Sequence, residues 1–147
     1  MTMVEDQTTL VLKRHFAATP EAVFDAWMIQ QAFAAWIGPE GVTCEVPQFE
    51  ARVGGAYRID MKLSDGRRVP VGGVFKEIER PRRIAFTWSW EGDADRVSLV
   101  TLDIQPAVGG GVDFMLTQEG LGSVEARDDH GRGWSSALNK LERHLAS

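Results

Sequence analysis

His130 is the side chain in this sequence best placed for proton-transfer chemistry. It follows Asp128 and Asp129 directly, and imidazole side chains change charge near neutral pH. The alternative interpretation is structural: a partly exposed histidine near the start of a helix, with both acids stabilised by the positive end of the helix dipole. We favour the structural interpretation and keep a cyclase or lyase that uses His130 as an alternative function.

Metal and covalent chemistry have no signature in the sequence. The histidines and the single cysteine do not show paired-ligand spacing: His15, His130, His144 and Cys44. Asp93 and Asp95 resemble half a calcium loop, but the remaining ligands and the closing acid are missing, which is typical of a hairpin turn. No Gly-x-Ser-x-Gly motif occurs, and the glycine run 109–111 precedes a predicted strand rather than the helix of a phosphate loop. We therefore expect no metal, no cofactor and no covalent catalytic residue.

Composition excludes several classes of partner. The 147 residues carry a net charge of −5, and the basic residues do not gather on one helix face, which argues against nucleic acid. The densest basic positions, Arg67-Arg68 and Arg80 with Arg82-Arg83, fall at predicted turns and are expected to be solvated. One domain over residues 1–147 is expected from the length and the 44% hydrophobic content.

The sequence predicts a cytoplasmic protein. Cys44 is the only cysteine, which rules out an internal disulfide and suits a reducing compartment. Residues 1–9 contain no apolar run, so we expect no signal peptide. No window approaches 18 apolar residues, so we expect no membrane span. The oligomeric state is left open between a monomer and a homodimer.

The element that must position His130 is a C-terminal amphipathic helix from about Ser123 to Leu145. Residues on one stripe recur at spacings of three or four, as helical periodicity requires: His130, Trp134, Leu138, Leu141 and Leu145. Gly131 and Gly133 interrupt this helix, each at a cost of about 1 kcal/mol relative to alanine. Their presence indicates a bend, a close approach of the backbone to something, or a regular helix that starts only near Gly133.

The preceding residues predict one strand, two short helices and six further strands. Residues 9–16 alternate as a half-buried strand does, Thr19-Pro20-Glu21 opens a helix that runs to about Met28, and Gly38-Pro39 ends a second helix. The six later strands are predicted at 42–51, 56–63, 69–79, 83–90, 97–105 and 112–118. Because glycine-rich turns this short join neighbouring strands as hairpins, we predict an α+β domain with a seven-stranded antiparallel sheet in the order β-α-α-β6-α.

The predicted sheet carries more apolar bulk than one helix can cover. Seven strands at ~4.8 Å spacing make a sheet about 33 Å wide, whereas a helix is only ~10 Å across. Either the two short helices fill the remaining space, or a curled sheet encloses a pocket, or both are true in part.

Five motifs in order resemble one known family. They are 16–27 (FAATPEAVFDAW), 36–39 (WIGP), 53–58 (VGGAYR), 84–88 (IAFTW) and 133–134 (GW), and they look like the heat-shock protein 90 ATPase activator homologue family of the START-like (SRPBCC) superfamily. The resemblance implies the helix-grip fold, a curved antiparallel sheet around a long C-terminal helix with an apolar cavity between them. The chain departs from the family pattern at Ile37, where a second tryptophan is common, and at Gln118, where a histidine is common.

Our leading hypothesis is a soluble protein whose apolar cavity binds a small hydrophobic or aromatic ligand. The candidate lining residues are Trp36, Tyr57, Phe86, Trp88, Phe114, His130, Trp134 and Leu138. Arg14, Tyr57 and Gln118 are polar groups that could orient such a ligand or serve as structural partners. A second hypothesis, which rests on the resemblance alone, is a partner of a chaperone of the heat-shock protein 90 type.

Overall fold

Seven strands in the computed structural model of the chain form one antiparallel sheet, against which three helices pack; residues 7–93 and 95–147 are described. In chain order the elements are β1 (Leu10–Phe16), α1 (Pro20–Met28), α2 (Gln30–Trp36), β2 (Thr43–Phe49), β3 (Ala56–Lys62), β4 (Arg68–Glu79), β5 (Arg83–Trp90), β6 (Ser98–Pro106), β7 (Val112–Glu119) and α3 (Val124–Ala146). The sheet order is β1-β7-β6-β5-β4-β3-β2. The predicted α+β helix-grip architecture is confirmed. The prediction that the chain has no signal peptide concerns residues 1–9, of which residues 1–6 lie outside the described residues.

Helix α1 begins and ends where the sequence predicts. Thr19 is the N-cap, and its side-chain oxygen accepts a hydrogen bond from the backbone N–H of Ala22 at 3.1 Å, while Pro20 occupies the first helical position. Extended backbone at Ile29 separates α1 from α2, and extended backbone at Ile37 ends α2. The chain then turns through Gly38, whose φ of +91° suits glycine.

One face of the sheet forms the core. Along β6 and β7 the buried residues alternate with more exposed ones, so that the inward set is Ser98, Val100, Leu102, Ile104, Val112, Phe114, Leu116 and Gln118. Antiparallel pairing places Leu102 opposite Leu116 and Val100 opposite Gln118. The other face of these strands is left to solvent, as in most antiparallel sheets with a single covered side.

The two short helices fill part of the space beneath the sheet. The Trp27 ring of α1 lies 4.6 Å from the Trp36 ring of α2, 5.9 Å from Phe114 on the sheet and 5.9 Å from Trp134 on α3. Trp27 and Trp36 are almost completely buried. Close aromatic packing therefore closes this end of the interior, and the space that remains lies beside residues 129–137 of α3.

Helix α3 runs without a break through both of its glycines. Ser123 caps it by accepting a hydrogen bond from the N–H of Ala126 at 3.0 Å, so the alternative start near Gly133 is wrong. Its buried face consists of Trp134, Ala137, Leu138 and Leu141. The Arg14 guanidinium of β1 donates to Asn139 Oδ1 at 2.8 Å and to the Ser135 carbonyl at 3.0 Å. Arg14 thus attaches the edge of the sheet to the helix, as a structural partner.

Candidate functional site

A cavity of about 340 Å³ lies between α3, the segment that follows α2, and strands β3 and β5. Its lining residues are Ile37, Gly38, Pro39, Met61, Trp88, Trp90, Asp129, His130, Gly133, Trp134 and Ala137. Most of these side chains are apolar or aromatic, and the only ionisable ones, Asp129 and His130, belong to the first half of α3. Cavities of this size and composition are typical of small-molecule sites.

Three indole rings stand together on the walls of the cavity. The Trp88 ring centroid lies 5.0 Å from that of Trp134 and 5.5 Å from that of Trp90, and the Trp88 and Trp90 planes are nearly perpendicular at 88°. Both separations lie in the range of aromatic contacts, and the Trp88–Trp90 pair has the preferred edge-to-face arrangement. Trp88 and Trp90 share a face of β5 because they are two residues apart in a strand.

Trp134 and the backbone of Trp88 are joined by a chain of hydrogen bonds through the sheet. Trp134 Nε1 donates to Gln118 Oε1 at 2.9 Å, Gln118 Nε2 donates to Ser98 Oγ at 2.9 Å, and Ser98 Oγ donates to the Trp88 carbonyl at 3.2 Å. Gln118 is fully buried and the other three residues are 4% exposed. This buried relay links α3 to β7, β6 and β5, and fixes Trp134 relative to the strand that carries the other two indoles.

Both ring nitrogens of His130 have protein partners. Trp90 Nε1–H donates to His130 Nε2 at 3.1 Å, so this nitrogen is the acceptor and Nδ1 carries the proton. Nδ1 donates in turn to the Ala126 carbonyl at 2.8 Å. His130 therefore holds Trp90 against α3 and presents no free ring nitrogen to the cavity.

The wall formed by Ile37, Gly38 and Pro39 is attached to α3 by polar contacts. Lys140 Nζ donates to the Gly38 carbonyl at 3.1 Å, and the Glu40 N–H donates to Ser136 Oγ at 2.8 Å. Behind this wall burial raises the pKa of the Cys44 thiol from 9.0 to about 11, and the positive charge of the nearby Lys140 acts in the opposite direction. Gly38 has a φ of +91°, and a β-carbon there would also approach Cys44 Sγ to 2.7 Å, so a side chain at this position would be strained.

The candidate residues from the sequence fall into two groups. Trp88, His130 and Trp134 line the cavity. The others lie in the packed core: Trp36, Tyr57, Phe86, Phe114 and Leu138. In that core Trp36 Nε1 donates to the Ala26 carbonyl at 2.9 Å, and the Tyr57 hydroxyl donates to the Thr87 carbonyl. Burial raises the pKa of Tyr57 well above its ordinary range.

Lining residues that the sequence analysis did not select come mainly from the loop after α2 and from α3. Period-two alternation from Trp88 could have identified Trp90, and the helical glycine could have identified Gly133. Pro39 and Asp129 gave no comparable pattern. Ile37, one of the two departures from the family pattern, contributes to the wall, whereas Gln118, the other, lies behind it in the relay.

The described residues 7–93 and 95–147 contain no cluster of three or more His, Cys, Asp or Glu side chains that could hold a metal ion. None of the helices in this part of the chain is long and apolar enough to cross a membrane.

Comparison with known proteins places the chain among solved structures of similar sequence. Protein CV1439 from Chromobacterium violaceum is 30% identical, with a TM-score of 0.85, over 95% of this chain and 98% of its own. The AHSA1 protein from Silicibacter pomeroyi is 31% identical, with a TM-score of 0.83, over 94% of this chain and 97% of its own. A protein from Arthrobacter aurescens, only 20% identical, shares the fold with a TM-score of 0.85 over 99% of this chain and 91% of its own.

No functionally curated protein matches the chain. The model of one family, described as activator of Hsp90 ATPase homolog 1-like protein, matches residues 17–146. This match covers most of the chain, and it agrees with the helix-grip fold and with the five sequence motifs. The chain therefore belongs to the activator of Hsp90 ATPase homolog 1-like protein family.

Proposed function

We propose that the protein binds a small hydrophobic molecule with an aromatic ring system in the cavity beside α3. The observation that carries this proposal is an apolar cavity of about 340 Å³ walled by Trp88, Trp90 and Trp134. An apolar protein cavity of ~150 Å³ holds one benzene molecule. By this comparison the cavity matches a ligand of about two fused rings.

The polar atoms of the walls indicate how such a ligand is oriented. The indole N–H groups of Trp90 and Trp134 and both His130 nitrogens are already hydrogen-bonded. Trp88 Nε1 has no partner among the described residues but is itself buried. The enclosed part of the ligand therefore needs no hydrogen-bonding group, and a polar substituent is best placed beside Asp129.

Indole NMR signals test this proposal, with 2-naphthol as the probe. The chain has five tryptophans, so a ¹⁵N-labelled sample gives five indole N–H signals, which Trp→Phe variants assign. We expect titration to shift the signals of Trp88, Trp90 and Trp134 and to leave that of Trp36 in place, because Trp36 lies in the packed core. Saturating 2-naphthol without shifts at the three wall residues would refute the proposal.

A cavity-filling variant locates the binding independently of the spectra. Ala137 lines the cavity and is 2% exposed, so Ala137→Leu places three extra carbon atoms at its wall. We expect affinity for 2-naphthol to fall by about fivefold to a hundredfold, since overpacking costs about 1–3 kcal/mol. Ala146→Leu makes the same change at an exposed position of the same helix and should leave affinity unchanged.

The family match favours a second candidate function, an association with an ATPase of the heat-shock protein 90 type, which would use the outer surface. Stimulation of that ATPase by the purified protein tests it. Stimulation that survives Ala137→Leu would separate this function from cavity binding. The geometry of His130 favours a structural role, and we therefore do not propose acid–base catalysis.

A further inference from the structure

Gly133 occupies a helical position where the backbone does not require glycine. It lies in the interior of α3 and is not among the described residues with positive φ. A β-carbon there would meet only Pro39 Cγ, at 3.8 Å, which is an ordinary van der Waals contact. Since alanine is the better helix former, glycine at this position lowers stability without a steric reason in the fold.

Gly133 lies on the cavity wall, so the space left by its missing side chain belongs to the cavity. Gly133 and Pro39 both line the cavity, from α3 and from the loop after α2. A methyl group on Gly133 would extend from the helix toward Pro39, into the space between the two walls. The missing side chain thus leaves room that any other residue would occupy.

We propose that Gly133 sets the upper size limit of the ligand, by keeping the cavity wide enough for two rings at the expense of helix stability. This inference rests on the proposed binding function. It makes Gly133 a specificity-determining residue. It predicts that a methyl group added at Gly133 raises the stability of the protein and lowers the size of the largest ligand that binds.

The test compares 2-naphthol with phenol, a one-ring probe, on the full chain and its Gly133→Ala variant. We expect the variant to melt about 3 °C higher without ligand, because helix propensity improves. Its affinity for 2-naphthol should fall about tenfold, and its affinity for phenol should change less than twofold.

Gly131→Ala is the matched control. Gly131 belongs to the same helix but does not line the cavity, and its β-carbon would lie 3.2 Å from Leu10 Cδ1. This variant should bind both probes like the parent chain, whatever its melting temperature.

Three outcomes decide the inference. Selective loss of 2-naphthol in Gly133→Ala supports it. Equal binding of 2-naphthol by Gly133→Ala and the parent chain overturns it and leaves the proposed function intact. Absence of binding in the parent chain overturns the proposed function, and the inference with it.

Discussion

Replacing Gln118 with leucine tests whether the buried relay positions the tryptophan walls. Gln118 is fully buried, accepts a hydrogen bond from Trp134 and donates one to Ser98. Leucine has a similar size but no polar atoms. Gln118→Leu therefore leaves the Trp134 indole N–H unpaired in the core and removes one bond that Ser98 accepts, while the bond from Ser98 to Trp88 can persist.

The expected loss follows from these two bonds. A buried donor left without a partner costs about 1–3 kcal/mol, and a lost neutral hydrogen bond about 0.5–1.5 kcal/mol. We therefore expect Gln118→Leu to lower the free energy of unfolding by about 3 kcal/mol, which corresponds to a melting temperature about 10 °C lower in a chain of this size.

A double-mutant cycle with Trp134→Phe isolates the contribution of the relay. Phenylalanine has no N–H to leave unpaired, so adding Gln118→Leu in that background should cost only about 1 kcal/mol. Urea unfolding of the parent chain and the three variants measures the resulting coupling energy, expected near 2 kcal/mol. Costs that simply add, or a loss below about 1 kcal/mol for Gln118→Leu alone, would refute the role assigned to the relay.

Two further predictions concern ionisable groups whose pKa is raised by burial, Cys44 and Tyr57. The pKa of the Cys44 thiol is raised from 9.0 to about 11, so at pH 8 about a hundredfold less of it is thiolate than in an ordinary cysteine. A more basic thiolate is also more nucleophilic, which offsets about tenfold of this difference. Alkylation by iodoacetamide should therefore be about tenfold slower than in the urea-unfolded chain. A rate equal to that of the unfolded chain would contradict the assigned burial. Tyr57 is the only tyrosine, and burial raises its pKa well above 10.0. As the pH rises, the tyrosine of the unfolded chain therefore ionises before that of the folded chain. The contribution of Tyr57 to the free energy of unfolding should be complete below pH 10 and decline above it. Phenolate absorbance should appear only together with alkaline unfolding, and ionisation of the folded protein near pH 10 would contradict this.

The fold could be predicted from the sequence because its boundaries are set by local chemistry. Thr19 and Pro20 begin α1, and Gly38-Pro39 lies just after the end of α2. The hairpin turns place β5 at Arg83–Trp90, as predicted, and the other strand ends lie within two residues of the predicted ones. Such features act over a few residues, so periodicity and turn residues report them directly.

The cavity was harder to predict because its position depends on which aromatic side chains pack in the core and which line the remaining space. An inward-facing aromatic residue is equally suited to core packing and to a cavity wall. Trp27 and Trp36 fill one end of the interior, so Phe86 and Phe114 become core while Trp88 and Trp90 reach the open end. The loop at Ile37–Pro39 forms one wall of the open end, and loop paths do not follow from periodicity. Gln118 likewise belongs to the relay because Trp134 of α3 lies opposite it on the inner face of the sheet.

The central claim is that the space beside α3 is the ligand site, and crystals grown with 2-bromonaphthalene test it most directly. Bromine scatters anomalously, so its position can be located without interpreting the shape of the ligand density. We expect an anomalous peak inside the cavity bounded by Trp88, Trp90, Trp134 and Pro39, and loss of that peak in Ala137→Leu. A peak only on the outer surface of the protein, or an empty cavity at saturating ligand, would contradict the account.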